Sequence, residues 1–300
     1  MKSRSIIIQS VLYQNDFFSL IRSLRSIQSA LLSYQQGPLG FNDCAVCYGD
    51  ASKEPLLLPE HIDHINDEFS GAFKFEYRFF NKNVGFAKGH NLLAEHCTTD
   101  YLLIINPDII LAQDFFSAIM KPYELDDELV GIVEGRQIPV EHPKAYDDVT
   151  GETSWASGAC LVTPTQVFKQ LQGFDSDTFF MYCEDVDYSW RVRALGKKVI
   201  YQPQAPVFHP KKMTNKGEWI ATEAEKYYSA EAALMMAYKW SQDERWKELL
   251  SAFKKNADEN LQKAAKVFSE RLMGRSLPEQ IDRTHEVSTF MDDLYTEHRF

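Results

Sequence analysis

Apolar residues follow two different spacings along the first 210 residues of this 300-residue chain. Short apolar or alternating runs are typical of strands, and they occur at residues 5–13, 44–48, 73–80, 101–105, 130–137, 159–163 and 198–201. Apolar positions at intervals of three and four, or short runs with helix-start and helix-stop residues, predict helices at residues 16–32, 85–96, 164–170 and 184–195. This alternation predicts an α/β fold, with a mostly parallel sheet and helices on both of its faces.

The pattern changes near residue 212. From Glu218 onward the spacing is helical, and Tyr227, Leu234 and Tyr238 share one apolar face. We therefore divide the chain into an α/β domain over residues 1–212 and a helical C-terminal extension over residues 213–300.

The apolar stripe of the extension has two interpretations. It packs on the α/β domain or on a second copy of the chain, or its aromatic end contacts an anionic membrane through nearby basic residues. Acidic residues interleave with those basic residues, which favours packing.

Composition narrows the class of protein. The net charge of −11 argues against nucleic acid as the main partner, because a phosphate backbone requires a basic surface. No apolar run reaches the roughly 18 residues of a membrane span, and Gln9 and Ser10 interrupt the first apolar run. Five cysteines without an export signal predict reduced thiols and a cytoplasmic location. The spacing of Cys44 and Cys47 predicts two strand thiols rather than a zinc site.

Polar residues follow two of the predicted strands. Asp108, in the sequence Asn106-Pro107-Asp108, offers a hard carboxylate ligand for Mg²⁺ or Mn²⁺ beside a diphosphate, with an ordinary turn as the alternative. Residues 83–91 combine small side chains with the start of a helix, a combination that suits phosphate or sugar hydroxyls.

Three acids open the helix predicted at residue 184. Asp187 is placed to pair with Arg191 at the i,i+4 spacing. The adjacent Glu184 and Asp185 offer a proton acceptor and an orienting partner. A lone histidine such as His209 is more often structural than a metal ligand.

The order and spacing of these motifs resemble the family 2 glycosyltransferases, most closely the rhamnosyltransferase-like bacterial members that build surface polysaccharides such as O-antigen. The resemblance extends over residues 5–212. The matching motifs are G-D-A-S at 49–52, N-x-G-F-A-x-G-x-N at 83–91, N-P-D at 106–108, S-G-A at 157–159, G-F-D at 173–175, E-D-x-D at 184–187, and His209.

This resemblance implies a GT-A fold and an inverting transfer of rhamnose or another hexose. The donor would be a nucleoside-diphosphate sugar, such as dTDP-rhamnose or a UDP-sugar, and the acceptor a carbohydrate or a lipid-linked saccharide. A lipid-linked acceptor would bring the protein to the inner face of the cell membrane. Separately from the resemblance, if the apolar stripe packs on a second copy, the C-terminal helices would be the contact in a homo-oligomer.

The resemblance also implies roles for single residues. Asp185 would be the general base with Glu184 beside it, Asp108 and His209 would bind a divalent cation (Mg²⁺ or Mn²⁺), and Trp155 would contact the acceptor. Donor-binding positions would be Asp50, Asn83, Gly85, Lys88, Asn91 and Asn106. The chain departs from the family pattern at Asp50, which comes one position late, and at the D-x-D motif, which is reduced to one acid.

Other classes of protein fit less well. A nucleotidyltransferase or a dehydrogenase would have a glycine-rich phosphate loop after the first strand, whereas this chain has Tyr13-Gln14-Asn15-Asp16 there. A non-catalytic subunit that binds a nucleotide sugar or a glycan remains the alternative, and the reduced N-P-D motif is its main support.

Overall fold

The computed structural model describes residues 4–37, 39–141, 144–210 and 221–291. Within these residues eight strands form one sheet in the order β3-β2-β1-β4-β7-β6-β8-β5. The strands are β1 (Ser5–Leu12), β2 (Asp43–Asp50), β3 (Lys74–Phe79), β4 (Tyr101–Ile105), β5 (Ile110–Leu111), β6 (Val130–Ile138), β7 (Cys160–Pro164) and β8 (Lys198–Phe208).

The sheet is mixed, with four parallel and three antiparallel pairings among the described strands, and the expected α/β fold is confirmed. Its first half, β3-β2-β1-β4, is entirely parallel. Beyond it β7 runs antiparallel to both β4 and β6, β8 is parallel to β6, and β5 is antiparallel to β8. Parallel neighbours need a crossover connection whereas antiparallel ones need only a loop, and the described residues between β6 and β7 contain no helix.

Helices cover both faces of the sheet and continue beyond it. They are α1 (Phe17–Gln35), α2 (Pro59–Phe69), α3 (Gly85–Ala94), α4 (Phe115–Ile119), α5 (Lys121–Leu125), α6 (Thr165–Gln170), α7 (Glu184–Ala194), α8 (Glu223–Lys239), α9 (Asp243–Lys255) and α10 (Glu259–Met273). Helix α1 begins where the sequence predicts, because the Asp16 side chain accepts the Ser19 N–H and caps it. The sequence analysis missed α2, α4, α5 and β5.

Two apolar layers lie on opposite faces of the sheet. Cys44 belongs to the layer beneath α1, and Cys47 belongs to the layer beneath α3. Since the two thiols point to opposite faces of β2, they do not form a metal-binding pair, and the prediction of two strand thiols is confirmed. All five cysteines are free and buried.

A third apolar cluster joins the C-terminal helices to α7. The ring centroids of Trp190 in α7 and Trp240 after α8 lie 5.0 Å apart, and Phe268 of α10 is fully buried in the same cluster. The chain after α10 returns to this cluster, where the Ile281 N–H donates to the Lys239 carbonyl at 2.7 Å. The apolar stripe of the C-terminal extension therefore packs against α7. This agrees with the expectation drawn from the acidic residues that lie between its neighbouring basic residues.

The C-terminal extension was expected to begin near residue 213. The expected boundary near residue 212 and the expected helix start at Glu218 lie outside the described residues. Among the residues that are described, no helix combines the length and apolar character needed to cross a membrane.

Candidate active site

Three segments meet at the carboxyl edge of the parallel strands. The turn after β4 contains Asn106, whose N–H donates to the carbonyl of Ala159 at 3.0 Å. Helix α3 begins against the chain that precedes α7, where the Phe86 N–H donates to the Phe180 carbonyl at 3.1 Å. Helix α7 itself opens with Glu184. This edge is where open α/β sheets bind their ligands.

Asp108 and His209 lie side by side although they are far apart in sequence. The two-residue strand β5 follows Asp108 and pairs antiparallel with the end of β8, with Ile110 opposite Phe208. As a result the Asp108 carboxylate lies 3.7 Å from the His209 Nε2 atom. The Asp108 side chain is 33% exposed and that of His209 is 5% exposed.

The hydrogen bonds of the His209 ring indicate one tautomer. Nδ1 lies 2.8 Å from the Gln137 side-chain oxygen, which can only accept a hydrogen bond, and Nε2 lies 3.2 Å from the Asn106 amide nitrogen, which donates. The proton is therefore assigned to Nδ1. In this tautomer Nε2 carries the lone pair, which accepts the Asn106 amide N–H and could bind a metal ion in place of that hydrogen bond.

The Asp108–His209 pair fits part of a divalent-cation site. Two ligands in neighbouring octahedral positions at about 2.1 Å from an ion are about 3 Å apart, so a shift of less than about 1 Å would bring both atoms onto one cation. Within the described ranges no group of three or more His, Cys, Asp and Glu side chains lies close enough to bind a metal ion. The protein would therefore supply only part of a coordination shell.

Asp185 is buried in the first turn of α7. Its carboxylate accepts the Gly158 N–H at 2.8 Å and the Val186 N–H at 2.9 Å, and the residue is 2% exposed. Gly158 allows this approach, because a Cβ atom there would lie 3.3 Å from the Asp185 Cβ and 3.1 Å from the Phe86 ring. The S-G-A and E-D-x-D motifs thus hold each other in place. Glu184 is buried beside them.

The backbone before α7 adopts an unusual conformation. Tyr182 and Cys183 have φ angles of 71° and 63°, in the left-handed region that side-chain-bearing residues seldom occupy. Such local strain is concentrated at functional sites. Here it turns the chain sharply enough for Glu184 and Asp185 to start a helix at the edge of the site.

Asp187 has a different role from its neighbours in the E-D-x-D motif. It is fully buried, and the predicted pair with Arg191 is confirmed, with 2.7 Å between Arg191 Nε and Asp187 Oδ2. The sequence analysis missed the other partners. Lys239 Nζ lies 2.6 Å from Asp187 Oδ1, and the Trp240 Nε1 atom donates to the same oxygen at 3.1 Å.

The backbone N–H groups at the start of α3 already donate hydrogen bonds to acceptors within the protein. The Asn83 side chain accepts the Gly85 N–H at 3.1 Å, and the Phe180 carbonyl accepts the next N–H along the chain. Gly85 has a φ of 75°, and a Cβ atom there would lie 2.4 Å from the Phe180 oxygen. The glycine therefore brings the 83–91 stretch against the chain that leads into α7. Two of the N–H groups expected to face a phosphate are already bonded.

The polar residues further along α3 point toward the G-F-D loop. The Asn91 amide donates to the Phe174 carbonyl at 2.7 Å and accepts the Phe174 N–H at 2.9 Å. Lys88 is exposed and lines a shallow cleft together with Asn91 and Lys169. The contacts of Asn91 are those of a residue that fixes a loop, and donor binding by Asn91 or Lys88 stays a prediction.

Asp50 lies at the end of β2 but is fully buried. Its carboxylate accepts the Ser52 N–H at 2.9 Å, the Leu56 N–H at 2.7 Å and the Tyr77 hydroxyl. These bonds close the turn that follows β2. A direct contact between Asp50 and a nucleotide stays a prediction, and this burial speaks against it.

Trp155 is also buried, at 3% exposure, in the cluster that joins α7 to the C-terminal helices. The Lys144 ammonium lies 3.8 Å from the centre of its ring and forms an ion pair with Glu134. Burial raises the pKa of Glu134, and Lys144 opposes that rise. Since its ring is enclosed, contact of Trp155 with an acceptor also stays a prediction.

Comparison with known proteins shows what the central part of this chain is similar to. Residues 59–190 match the profile of Glycosyl transferase family 2. The matched region includes Asp108 and Asp185 but ends before His209 and the C-terminal helices.

Two similar curated proteins are rhamnosyltransferases. The chain is 27% identical to the rhamnosyltransferase WbbL of Escherichia coli K12 over 53% of this chain and 70% of the relative. It is 44% identical to N-acetylglucosaminyl-diphospho-decaprenol L-rhamnosyltransferase of Mycobacterium tuberculosis, over only 19% of this chain and 18% of that protein.

Solved structures share the fold. A mannosyltransferase from Pyrobaculum calidifontis in complex with GDP-Man and Mn²⁺ superposes with a TM-score of 0.53 at 15% identity, covering 90% of this chain and 81% of that one. GalNAc-T7 with UDP, GalNAc and Mn²⁺ gives a TM-score of 0.59 at 12% identity, over 95% and 57% of the two chains. The chain therefore has an α/β fold with a mixed sheet and C-terminal helices that is similar to the fold of these solved glycosyltransferases, and its residues 59–190 resemble glycosyltransferase family 2.

Proposed function

We propose that this protein is an inverting, metal-dependent hexosyltransferase. It would move rhamnose or another hexose from a nucleoside-diphosphate sugar to a carbohydrate or lipid-linked saccharide during assembly of a surface polysaccharide. The main support is the 3.7 Å distance between the Asp108 carboxylate and His209 Nε2, together with the two buried acids that open α7. The rhamnosyltransferase relatives favour rhamnose as the sugar.

Asp108 and His209 would hold a divalent cation against the donor diphosphate. The two ligand atoms fit such an ion, because a carboxylate oxygen and an imidazole nitrogen both bind Mn²⁺ or Mg²⁺. Gln137 bonds to the other nitrogen of the His209 ring and fixes its orientation. When bound, the cation would offset the charge that develops on the leaving diphosphate. Asn106 bonds to His209 Nε2 and would limit the orientation of the ring.

Asp185 would accept the proton of the acceptor hydroxyl. In an inverting displacement the acceptor oxygen forms a bond to C1 of the sugar while the bond from C1 to the diphosphate oxygen breaks. The proton passes from that hydroxyl to the carboxylate. The N–H groups of Gly158 and Val186 fix the carboxylate plane, which lowers the reorganisation needed during transfer.

A donor and acceptor screen tests this function. The purified protein is incubated with dTDP-rhamnose, UDP-hexoses or GDP-mannose, with Mn²⁺, Mg²⁺ or EDTA, and with or without saccharide acceptors. We expect release of the nucleoside diphosphate from one donor to increase with acceptor and to stop in EDTA. Full transfer in EDTA would contradict the cation assignment. Tight donor binding without turnover would instead support the non-catalytic binding subunit.

A further inference from the structure

Lys239, the last residue of α8, is a buried lysine between two motif carboxylates. Its Nζ atom lies 2.6 Å from Asp187 Oδ1 and 2.7 Å from Asp175 Oδ2, and the residue is 6% exposed. Asp187 belongs to the E-D-x-D motif and Asp175 to the G-F-D motif. A lysine from the C-terminal helices therefore joins two motifs of the α/β domain.

The charges in this cluster are balanced. Arg191 contributes a second positive charge, and besides its bond to Asp187 it donates to the carbonyls of Leu171 and Gly173, both at 2.9 Å. Burial acts to raise the pKa of Asp175, but Lys239 and the hydrogen bonds from Thr178 together outweigh it and the net effect lowers the pKa. Buried ions are tolerated when they are paired and hydrogen-bonded in this way.

The cluster is connected to the candidate site on two sides. Asp187 lies two residues after Asp185 in the first turn of the same helix. Asp175 follows Phe174, whose backbone bonds in both directions to the Asn91 side chain of α3. Lys239 therefore links α8 to the helix with the candidate base and, through the G-F-D loop, to α3, which begins within the 83–91 stretch.

We propose that Lys239 is a positioning residue for Asp185, so that the C-terminal helices are a working part of the transfer site. This rests on the proposed function, because it assumes that Asp185 accepts the proton. By holding Asp187, Lys239 fixes the first turn of α7 against the strained turn at Tyr182 and Cys183. Displacement of a reacting group by about 1 Å costs on the order of 10²-fold in rate.

The test compares Lys239→Met with Lys226→Met. Both lysines lie in α8, and Lys226 pairs at 2.8 Å with Glu223 at the surface, so its removal is the matched control. Assayed below the unfolding temperature of each variant, Lys239→Met should lower kcat by about 10- to 100-fold with donor KM changed less than about twofold. Lys226→Met should match the wild type.

A double variant separates positioning from stability. Lys239→Met leaves two carboxylates and one cation in the cluster, since Arg191 pairs with Asp187, whereas Lys239→Met with Asp175→Asn restores the charge balance without the bridge. We expect the double variant to regain unfolding temperature but not kcat. Recovery of kcat together with stability would overturn the proposal, as would a folded Lys239→Met variant with the kcat of the wild type.

Hydrogen–deuterium exchange makes the test independent of turnover. We expect amides of α7 near Asp185 to exchange faster in the double variant than in Lys226→Met, and equal exchange would also overturn the proposal. If Lys239→Met does not fold, Asp175→Asn replaces it in the kinetic and exchange measurements. This variant keeps the Lys239–Asp187 bond, so we expect a smaller loss of kcat. If the wild type transfers no sugar, the proposed function fails while the exchange result still reports on Lys239.

Discussion

The two sides of the candidate site are built differently. On the cation side, Asp108 and His209 meet because β5 pairs with the end of β8, and Asp108 remains one-third exposed. On the acid side, Asp185 and Asp187 are buried, and their carboxylates accept hydrogen bonds from the S-G-A loop and from the C-terminal extension. The cation side is thus positioned by strand pairing, and the acid side by side-chain bonds between distant segments.

This difference suits the two roles in the proposed reaction. A cation and a diphosphate would arrive and leave with each turnover, and the partly exposed Asp108 gives this side access to solvent. A general base has to be in place before the acceptor arrives, and fixed dipoles around it reduce the reorganisation required in the transition state. The comparison predicts that variants on the acid side affect the chemical step, whereas variants on the cation side affect donor binding.

Replacement of Asp185 should have the largest effect. Asp185→Asn removes the proton acceptor, so kcat for transfer should fall by about 10²- to 10⁴-fold while donor KM changes little. Steady-state kinetics with saturating acceptor measures this, with the surface change Asp63→Asn as the control. Turnover close to that of the wild type would exclude Asp185 as the base and make Glu184 the candidate.

Replacement of Gln137 tests the cation side without touching a ligand. Gln137→Leu removes the acceptor of the His209 Nδ1 proton, so the ring loses its fixed orientation. Loss of such a partner usually weakens metal affinity by about 10- to 100-fold. The Mn²⁺ concentration that gives half-maximal transfer should rise accordingly while kcat at saturating Mn²⁺ changes little. An unchanged Mn²⁺ requirement would contradict a role for His209 as a ligand.

The pKa of His90 depends on whether water reaches the apolar interior beside the candidate site. Its ring is fully buried between Phe86 and Phe174, and this burial lowers its pKa from 6.5 to about 3. Because the unfolded chain takes up the proton near pH 6.5 and the folded chain does not, stability is retained above pH 6.5 and decreases as the pH falls toward 3. The loss should be about 3 kcal/mol at pH 4.

Urea unfolding at pH 7.5 and pH 4 checks this value. The wild type should lose about 3 kcal/mol more between these two pH values than His90→Gln, which cannot take up a proton in this range. Equal losses in the two proteins would mean that His90 is solvated in the folded state.

The sequence predicted the elements whose pattern is local. The strand at residues 101–105 was placed with its observed bounds, because a continuous apolar run fits a strand buried on both faces. Helix α2 was missed, because only Ile65 and Phe69 of its eleven residues are buried and the rest are mostly polar. Its apolar face is therefore too narrow to stand out in the sequence as the face of a core helix.

The site could be predicted only where motifs lie at strand or helix ends. The sequence analysis ended β8 at Tyr201, because Pro203 and Pro206 interrupt the apolar pattern. The strand continues to Phe208 since β6 and β5 pair with it on its two sides. Lys239 could not have been identified, because a lysine in the last turn of a helix is expected to be exposed and to favour the helix dipole.

Binding of a nucleoside diphosphate to variants of Asp108 and Asp185 tests most directly whether the cation side binds the donor and the acid side does not. Calorimetric titration of a nucleoside diphosphate in the presence of Mn²⁺ is carried out on the wild type, Asp108→Ala and Asp185→Asn. We expect Asp108→Ala to weaken binding by at least about tenfold, and Asp185→Asn to bind within about twofold of the wild type. Loss of binding in Asp185→Asn with full binding in Asp108→Ala would contradict the assignment of cation and acid sides.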